Sequence, residues 1–196
     1  MGQQRRLTNA LVLTAAIEAV EEKGLYELSI NDLASRLGVK PPSLYNHING
    51  LDDVRKQLTE EVIARMETSI RDSAVGRSGE NALKEMALAY RKFAKENPEL
   101  YKAFANSRQP KDPKIEEQMQ SLTKVLFQVL ESCGLSSEKE VHFIRLFHCG
   151  LHGFVSLEAS GFFHSNVNAD DSFTELIQNH AMLLNSYRLD NEGKSP

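Results

Sequence analysis

Lys40, Ser43, Tyr45, Asn46 and His47 crowd one short stretch of the chain. They bring an ammonium, two hydroxyls, an amide and an imidazole. Groups of these kinds hydrogen-bond to base edges or sit on phosphates. Between them, Leu44 and Ile48 stand four apart and turn the other side of the same helix inward. Pro41 and Pro42 are tolerable only in a first turn, so they mark where that helix starts. Just upstream, Ile30, Leu33, Ala34 and Leu37 fall at i, i+3, i+4 and i+7, one apolar stripe. Ser29 with Asp32 three residues on predicts a capping box at the start of this earlier helix. Gly38 ends it, because a left-handed cap costs glycine little, and Val39 plugs the corner. Two short helices about a glycine turn, the second with a hydrogen-bonding outer face, are the sequence form of a helix-turn-helix.

A second concentration of chemistry is LFHCGLHGFVSLE, residues 146–158. His148 and His152, four apart, share one helix face, and Cys149 lies three from His152. That spacing suits a metal, but one helix offers only the pair, and no carboxylate–histidine motif elsewhere completes a set. Histidines anchored in a core or a pocket are the simpler reading, and no metal ligand is assigned. Gly150 and Gly153 weaken a helix unless a partner helix or a ligand comes close. Tyr90, Phe93, Tyr101, Phe104, Phe127, Phe143, Phe147 and Phe154 recur at helical spacing and, with no Trp in the chain, fill much of a core. Catalysis has little support. The Ser, His and Asp residues are scattered, with no nucleophile elbow, glycine-rich phosphate loop or paired carboxylates in an apolar setting.

The elements that position these groups are helical nearly throughout, with no convincing alternating strand. The pattern predicts about nine helices. The first spans 8–23, with Val12, Ala16, Ala19 and Val20 inward. After the helix-turn-helix pair, a fourth runs over 51–73 with Val54, Leu58, Val62 and Met66 as its stripe, capped by Asn49 or Gly50. Five more follow at 82–95, 98–105, 113–132, 136–160 and 171–189. A head of residues 1–50 and a body of residues 51–196 is the expected division. The chain has 196 residues, 41% hydrophobic and 26% charged, ordinary for a globular protein. The most apolar segment, 143–163, holds Arg145, His148, His152 and Glu158, which predicts a buried helix and not a membrane span. Two cysteines, Cys133 and Cys149, make no disulfide framework. Together with the lack of a visible signal peptide, they fit a reducing cytoplasm. Net charge is −4, yet residues 28–50 set Arg36 and Lys40 against Asp32, a balance of +1, and Arg5 and Arg6 lead the chain. So few cations predict weak phosphate binding by a single head.

The first quarter of the chain resembles the TetR family of bacterial transcriptional regulators. VLTAAIEAVEEKG (12–24) and LSINDLASRLGVKPPSLYNHI (28–48) carry the likeness, above all the tyrosine, polar residue and histidine at 45–47. Lys40 stands where the family usually has a capping serine. Asn49–Gly50–Leu51 replaces a lysine often found at the start of the fourth helix. Leu151–His152–Gly153 is similar to the tryptophan-histidine-glycine signature of one subgroup, with Leu in place of Trp. The resemblance implies an all-α, homodimeric, cytoplasmic regulator, a repressor without enzymatic activity or cofactor, that binds a palindromic or pseudo-palindromic double-stranded DNA operator. Half-site spacing would be about 34–36 Å or more. It assigns DNA contacts to Arg5, Arg6, Ser29, Lys40, Pro41, Ser43, Tyr45, Asn46 and His47. It also implies a body cavity for a small, largely apolar effector, drawn from Tyr90, Phe93, Tyr101, Phe104, Phe127, Phe147, His148 and His152. The eighth and ninth helices would pair across the dimer. The acidic balance favours the rival reading, a helical module whose head makes protein contacts.

Overall fold

The computed structural model describes residues 6–105 and 112–192. Over these it is all-α, with nine α-helices, one 3-10 turn and no strand. Three local devices set the helix-turn-helix. Thr8 opens α1 (Asn9–Lys23), its hydroxyl accepting from the Leu11 N–H at 3.2 Å. Ser29 opens α2 (Ile30–Leu37), its hydroxyl accepting from the Asp32 N–H at 3.2 Å. Gly38, at φ 65°, closes α2, and the Val39 N–H reaches back to the Ala34 carbonyl at 3.0 Å. That is a Schellman ending. Only half of the expected capping box forms. The Asp32 carboxylate turns instead to Lys23 at 2.8 Å and to Arg36 at 2.9 Å, because two cations outbid one backbone N–H.

The next helix is shorter than its apolar spacing predicts. Regular α3 is Pro41–Leu44. The His47 N–H then returns to Leu44 at 2.8 Å, and Ile48 reaches the same carbonyl at 3.0 Å. The His47 bond, three residues back, tightens the turn where the chain leaves it. The Asn49 N–H is captured by Asp53 at 2.8 Å, and Gly50 sits at φ 103°. Tyr45, Asn46 and His47 therefore occupy a tightened helical end, with Leu44 and Ile48 still buried beneath.

Beyond Gly50 follow α4 (Leu51–Ala74), α5 (Gly79–Glu96), α6 (Pro98–Ala105), α7 (Pro113–Glu131), α8 (Ser137–Ala159) and α9 (Ala169–Glu192). Asp112 caps α7, accepting from the Lys114 N–H at 3.0 Å, with Pro113 at the first helical position. No described helix is long and apolar enough to cross a membrane.

Packing divides the chain into two units. The first holds residues up to 64 together with 97–115, so it contains the helix-turn-helix, the start of α4 and α6. Val12, Ala16, Val20, Leu33, Leu44, Leu58, Leu100 and Tyr101 are among its buried side chains, and α6 lies against α1. This division falls between Ala64 and Arg65, later than the boundary expected at 50/51, near the start of α4. The physical reason is that α4 already supplies buried Val54 and Leu58. The second unit holds 65–96 and 116–196. Its α5, α8 and α9 pack on one another around Met86, Phe143, Phe147, Phe173 and Leu184.

Candidate nucleic-acid interface and ligand cavity

The outer face of the helix-turn-helix is open. Lys40, Tyr45 and Asn46 are exposed, and Ser43, Pro41 and His47 are half-buried. Tyr45 is 58% exposed while Leu44, one residue before it, is fully buried. A large aromatic is thus held out in water by a rigid neighbour, the arrangement expected of a side chain kept for a partner. Ser29 lies half-buried, its hydroxyl committed as the cap. Arg6 is exposed; Arg5 lies outside the described residues. Asn9, which no local spacing picks out, joins this face. Its side-chain oxygen stands 3.3 Å from Nδ1 of His47, bringing the start of α1 beside the end of α3.

Charge on this face is arranged differently from a simple count. Arg36 bonds Glu22 at 2.6 Å and Asp32 at 2.9 Å, and Lys23 takes the other Asp32 oxygen. Hydrogen bonds from Lys23 and then Arg36 hold the Asp32 carboxyl below its ordinary range, and the Arg36 bond does the same for Glu22. This group staples α1 to α2. Arg36 is therefore a structural cation. Within the described head, Lys40 and Arg6 remain exposed. The first turn of α4 presents Asp52 and Asp53, which suit a helix N-terminus and repel phosphate.

The second unit contains a cavity. Its wall is made by Ile70 of α4, Met86 and Tyr90 of α5, and Leu122, Thr123 and Leu126 of α7. Phe147, His148 and Leu151 of α8 complete it. Its volume is about 40 Å³, room for roughly three waters. Tyr90, Phe147 and His148 are the aromatics that reach it from the expected set. His152 stands one step back, its Nδ1 3.2 Å from the Tyr90 hydroxyl. Phe93 is buried on α5 but off the wall, and Phe127 is half-buried on α7. Tyr101 and Phe104 belong to the first unit, where their rings pack at 6.3 Å. Helical spacing showed that these side chains turn inward without showing toward which space. Ile70, Met86 and the α7 residues escaped notice because an apolar wall residue looks like any core residue.

Burial, and then the neighbouring His152, pushes the His148 imidazole below its ordinary value, so it is neutral near pH 7. The two rings lie 6.1 Å apart. No three His, Cys, Asp or Glu side chains gather into a metal-binding group among the described residues. The glycines of α8 have different settings. A Cβ on Gly150 would lie 2.9 Å from Cε1 of His180 on α9, whereas one on Gly153 would meet nothing within 4 Å. Sequence reading also missed Arg91, which is only 7% exposed. It pairs with Glu158 at 2.8 Å and Asp170 at 2.7 Å and lies 4.7 Å from the Phe173 ring. Its partners are 67 and 79 positions away in sequence, beyond any local pattern.

Comparison with known proteins points one way. Residues 12–48 match the family model of bacterial regulatory proteins, tetR family, and residues 83–180 match that of the tetracyclin repressor-like C-terminal domain. An uncharacterized HTH-type transcriptional regulator of Mycobacterium tuberculosis is 33% identical over 180 residues, 90% of this chain and 81% of the relative. The HTH-type regulator YobS of Bacillus subtilis is 31% identical, over 91% and 93% of the two chains. Among solved structures, the TetR family protein ActR of Streptomyces coelicolor, in complex with (S)-DNPA, superposes with a TM-score of 0.65. That match has 19% identity and covers 93% of this chain and 99% of that one.

Proposed function

This chain belongs to the TetR family of DNA-binding transcriptional regulators, and we propose that it is a repressor released from its operator by a small, largely apolar effector. Proteins of this family are regulators and not enzymes. They bind DNA operators and small molecules and form dimers. The observation that carries the reading is the face of Lys40, Ser43, Tyr45, Asn46 and His47, held outward over buried Leu44 and Ile48. Tyr45 and Asn46 would read or position on the operator, and Lys40, Arg5 and Arg6 would take phosphates. Ser29, Pro41, Ser43 and His47 would line the same contact. An operator with two related half-sites follows if two heads act together in the cytoplasm.

The effector reading rests on the second unit. Its tetracyclin repressor-like match and the ligand complex of a structural relative support a binding body. At its present size the cavity is smaller than the roughly 150 Å³ that admits a benzene ring. An effector must therefore favour a more open arrangement of α5, α7 and α8. That differential preference is what allows a ligand to shift a population, since one that binds both states equally shifts nothing. For the dimer, α8 offers exposed Leu146, Cys149 and Leu157 with open Gly153 on one stripe, and α9 offers Met182 and Leu189.

Gel shifts against the region upstream of its own gene provide the test. Tyr45→Ala with Asn46→Ala should abolish specific binding while leaving helicity and dimerisation intact, because both side chains are exposed. Unchanged binding by the double variant sinks the assignment of the recognition face.

A further inference from the structure

We infer that the cavity takes an uncharged, mostly apolar molecule that presents a hydroxyl, of the phenol or hydrophobic-alcohol class, to the ring of His148. The inference rests on the reading of the second unit as effector-binding and names the chemistry of that effector. The wall is apolar apart from Tyr90, Thr123 and His148. Two of those three are already engaged. The Thr123 hydroxyl donates to the Met119 carbonyl at 2.9 Å, and the Tyr90 hydroxyl lies 3.2 Å from His152. His148 has no hydrogen-bond partner among the described residues; its ring contact is with His152. A polar ring left unmatched beside an apolar space is where a ligand gains most from one well-placed group.

The sign of the ligand's charge follows from what is missing on the wall. Among the described residues no Lys, Arg, Asp or Glu contributes to it. A carboxylate or an ammonium would give up its hydration without a countercharge, which costs far more than an apolar body gains. The titratable groups facing His148 are few: His152 on its own helix and Tyr90 on α5. From α7 come Leu122, Thr123 and Leu126, and from α4 Ile70. None supplies a fixed charge. The choice of a hydroxyl follows from the imidazole. A neutral imidazole has one N–H donor and one bare nitrogen, and either can face the space. A hydroxyl both donates and accepts, so it satisfies either tautomer. A carbonyl or an ether satisfies only one.

Linkage adds a direction. His148 is already held neutral by burial. Filling the space with an apolar body removes the remaining water and disfavours the imidazolium further. Affinity for a neutral ligand therefore weakens as pH falls through the depressed value of His148, which lies below the ordinary histidine value of 6.5. A carboxylate ligand would do the opposite, binding better as His148 gains a proton.

Calorimetric titration of the full-length protein with p-cresol, toluene and p-toluate, from pH 8 to pH 5, tests this. We expect p-cresol to bind about two- to tenfold more tightly than toluene and p-toluate to bind most weakly. His148→Leu should bring p-cresol and toluene together. His148→Gln, which still hydrogen-bonds but does not titrate, should keep the preference for p-cresol and lose its pH dependence. If His148→Leu fails to fold, the flat pH profile of His148→Gln decides. Tighter binding of p-toluate, a p-cresol preference that survives His148→Leu, or no saturable binding by any of the three overturns the inference. Binding of p-cresol without release of operator DNA leaves it standing and counts against the repressor reading alone.

Discussion

Gly150 and Gly153 stand three apart on α8, and the structure gives them opposite fates when changed to alanine. In a helix interior, Gly→Ala gains about 1 kcal/mol from propensity. Within one chain, Gly153→Ala should collect that gain, because its new Cβ meets nothing within 4 Å. At Gly150 the new Cβ would lie 2.9 Å from Cε1 of His180 and 3.2 Å from Cδ1 of Leu176. His180 has little freedom to yield. Its Nδ1 lies 2.8 Å from the Leu176 carbonyl, and its ring stands edge-on to Phe147 at 5.3 Å and to Phe143 at 6.3 Å. Overpacking of this kind costs about 1–3 kcal/mol, so Gly150→Ala should be neutral to about 2 kcal/mol destabilising. The two variants should then differ by about 1–3 kcal/mol, roughly 2–12 °C in Tm for a chain of this size. Thermal circular dichroism at one fixed protein concentration measures it, since the Tm of an associating protein moves with concentration. If Gly150→Ala raises Tm as much as Gly153→Ala, the close approach of α8 to α9 at His180 is not a constraint and the reasoning fails. A Gly153→Ala that weakens self-association in sedimentation would place a second copy of the chain against that spot.

Two further outcomes follow from the ion pairs. Lys40→Gln should make the plot of log operator affinity against log salt shallower by about 0.9 per head, roughly 2 for a dimer. Arg36→Gln should leave that slope unchanged, because its guanidinium serves Glu22 and Asp32; an equal loss of slope for both refutes the division of labour. Glu158→Gln should cost about 1–2 kcal/mol of stability at pH 7, read by urea unfolding, with Asp170 retaining part of the Arg91 pairing. The Arg91 bond holds the Glu158 carboxyl below its ordinary 4.5, so its contribution is present above pH 4.5 and is lost as pH falls through the lower folded value. The variant should lack that loss, and an unchanged acid limb counts against the pairing.

How much of this was legible depended on whether the cause was local. Ser29, Gly38 and Pro41 punctuate the helix-turn-helix within a few residues of where they act, so its start, turn and restart could be read directly. The early end of α3 could not, because it depends on Asp53 reaching back to the Asn49 N–H. The fate of Asp32 was also hidden. Its spacing from Ser29 suggested a cap, while its partner Lys23 lies in the preceding helix. The body shows the same limit at longer range. Periodicity turned Tyr90, Phe93, Tyr101 and Phe127 inward alike, but only packing separates the Tyr90 that meets the cavity from the Tyr101 that serves the first unit. Gly150 and Gly153 are identical in sequence terms. One faces α9 and the other faces open space, and no local rule distinguishes them.

The ion pairs of the head alter the argument about DNA most. Counting residues 28–50 gives a balance of +1, with Arg36 as half of the positive charge. In the structure that half is spent holding α1 to α2, and Asp52 and Asp53 stand in the first turn of α4. On the proposed reading, Lys40 and Arg6, with Arg5 ahead of them in sequence, are what remains for phosphates. Non-specific affinity scales with the number of phosphates neutralised, so a single head of this kind should hold random DNA poorly. Two consequences follow together. Discrimination, on the proposed reading, falls to Tyr45, Asn46 and their hydrogen-bonding neighbours, because phosphate contacts carry no sequence information. Useful affinity must come from joining two heads, since a second head supplies its own contacts without a second loss of translational freedom. A weakly cationic head of this design, on the same reading, depends on its partner for affinity, because the shortage of phosphate contacts lowers specific and random binding alike.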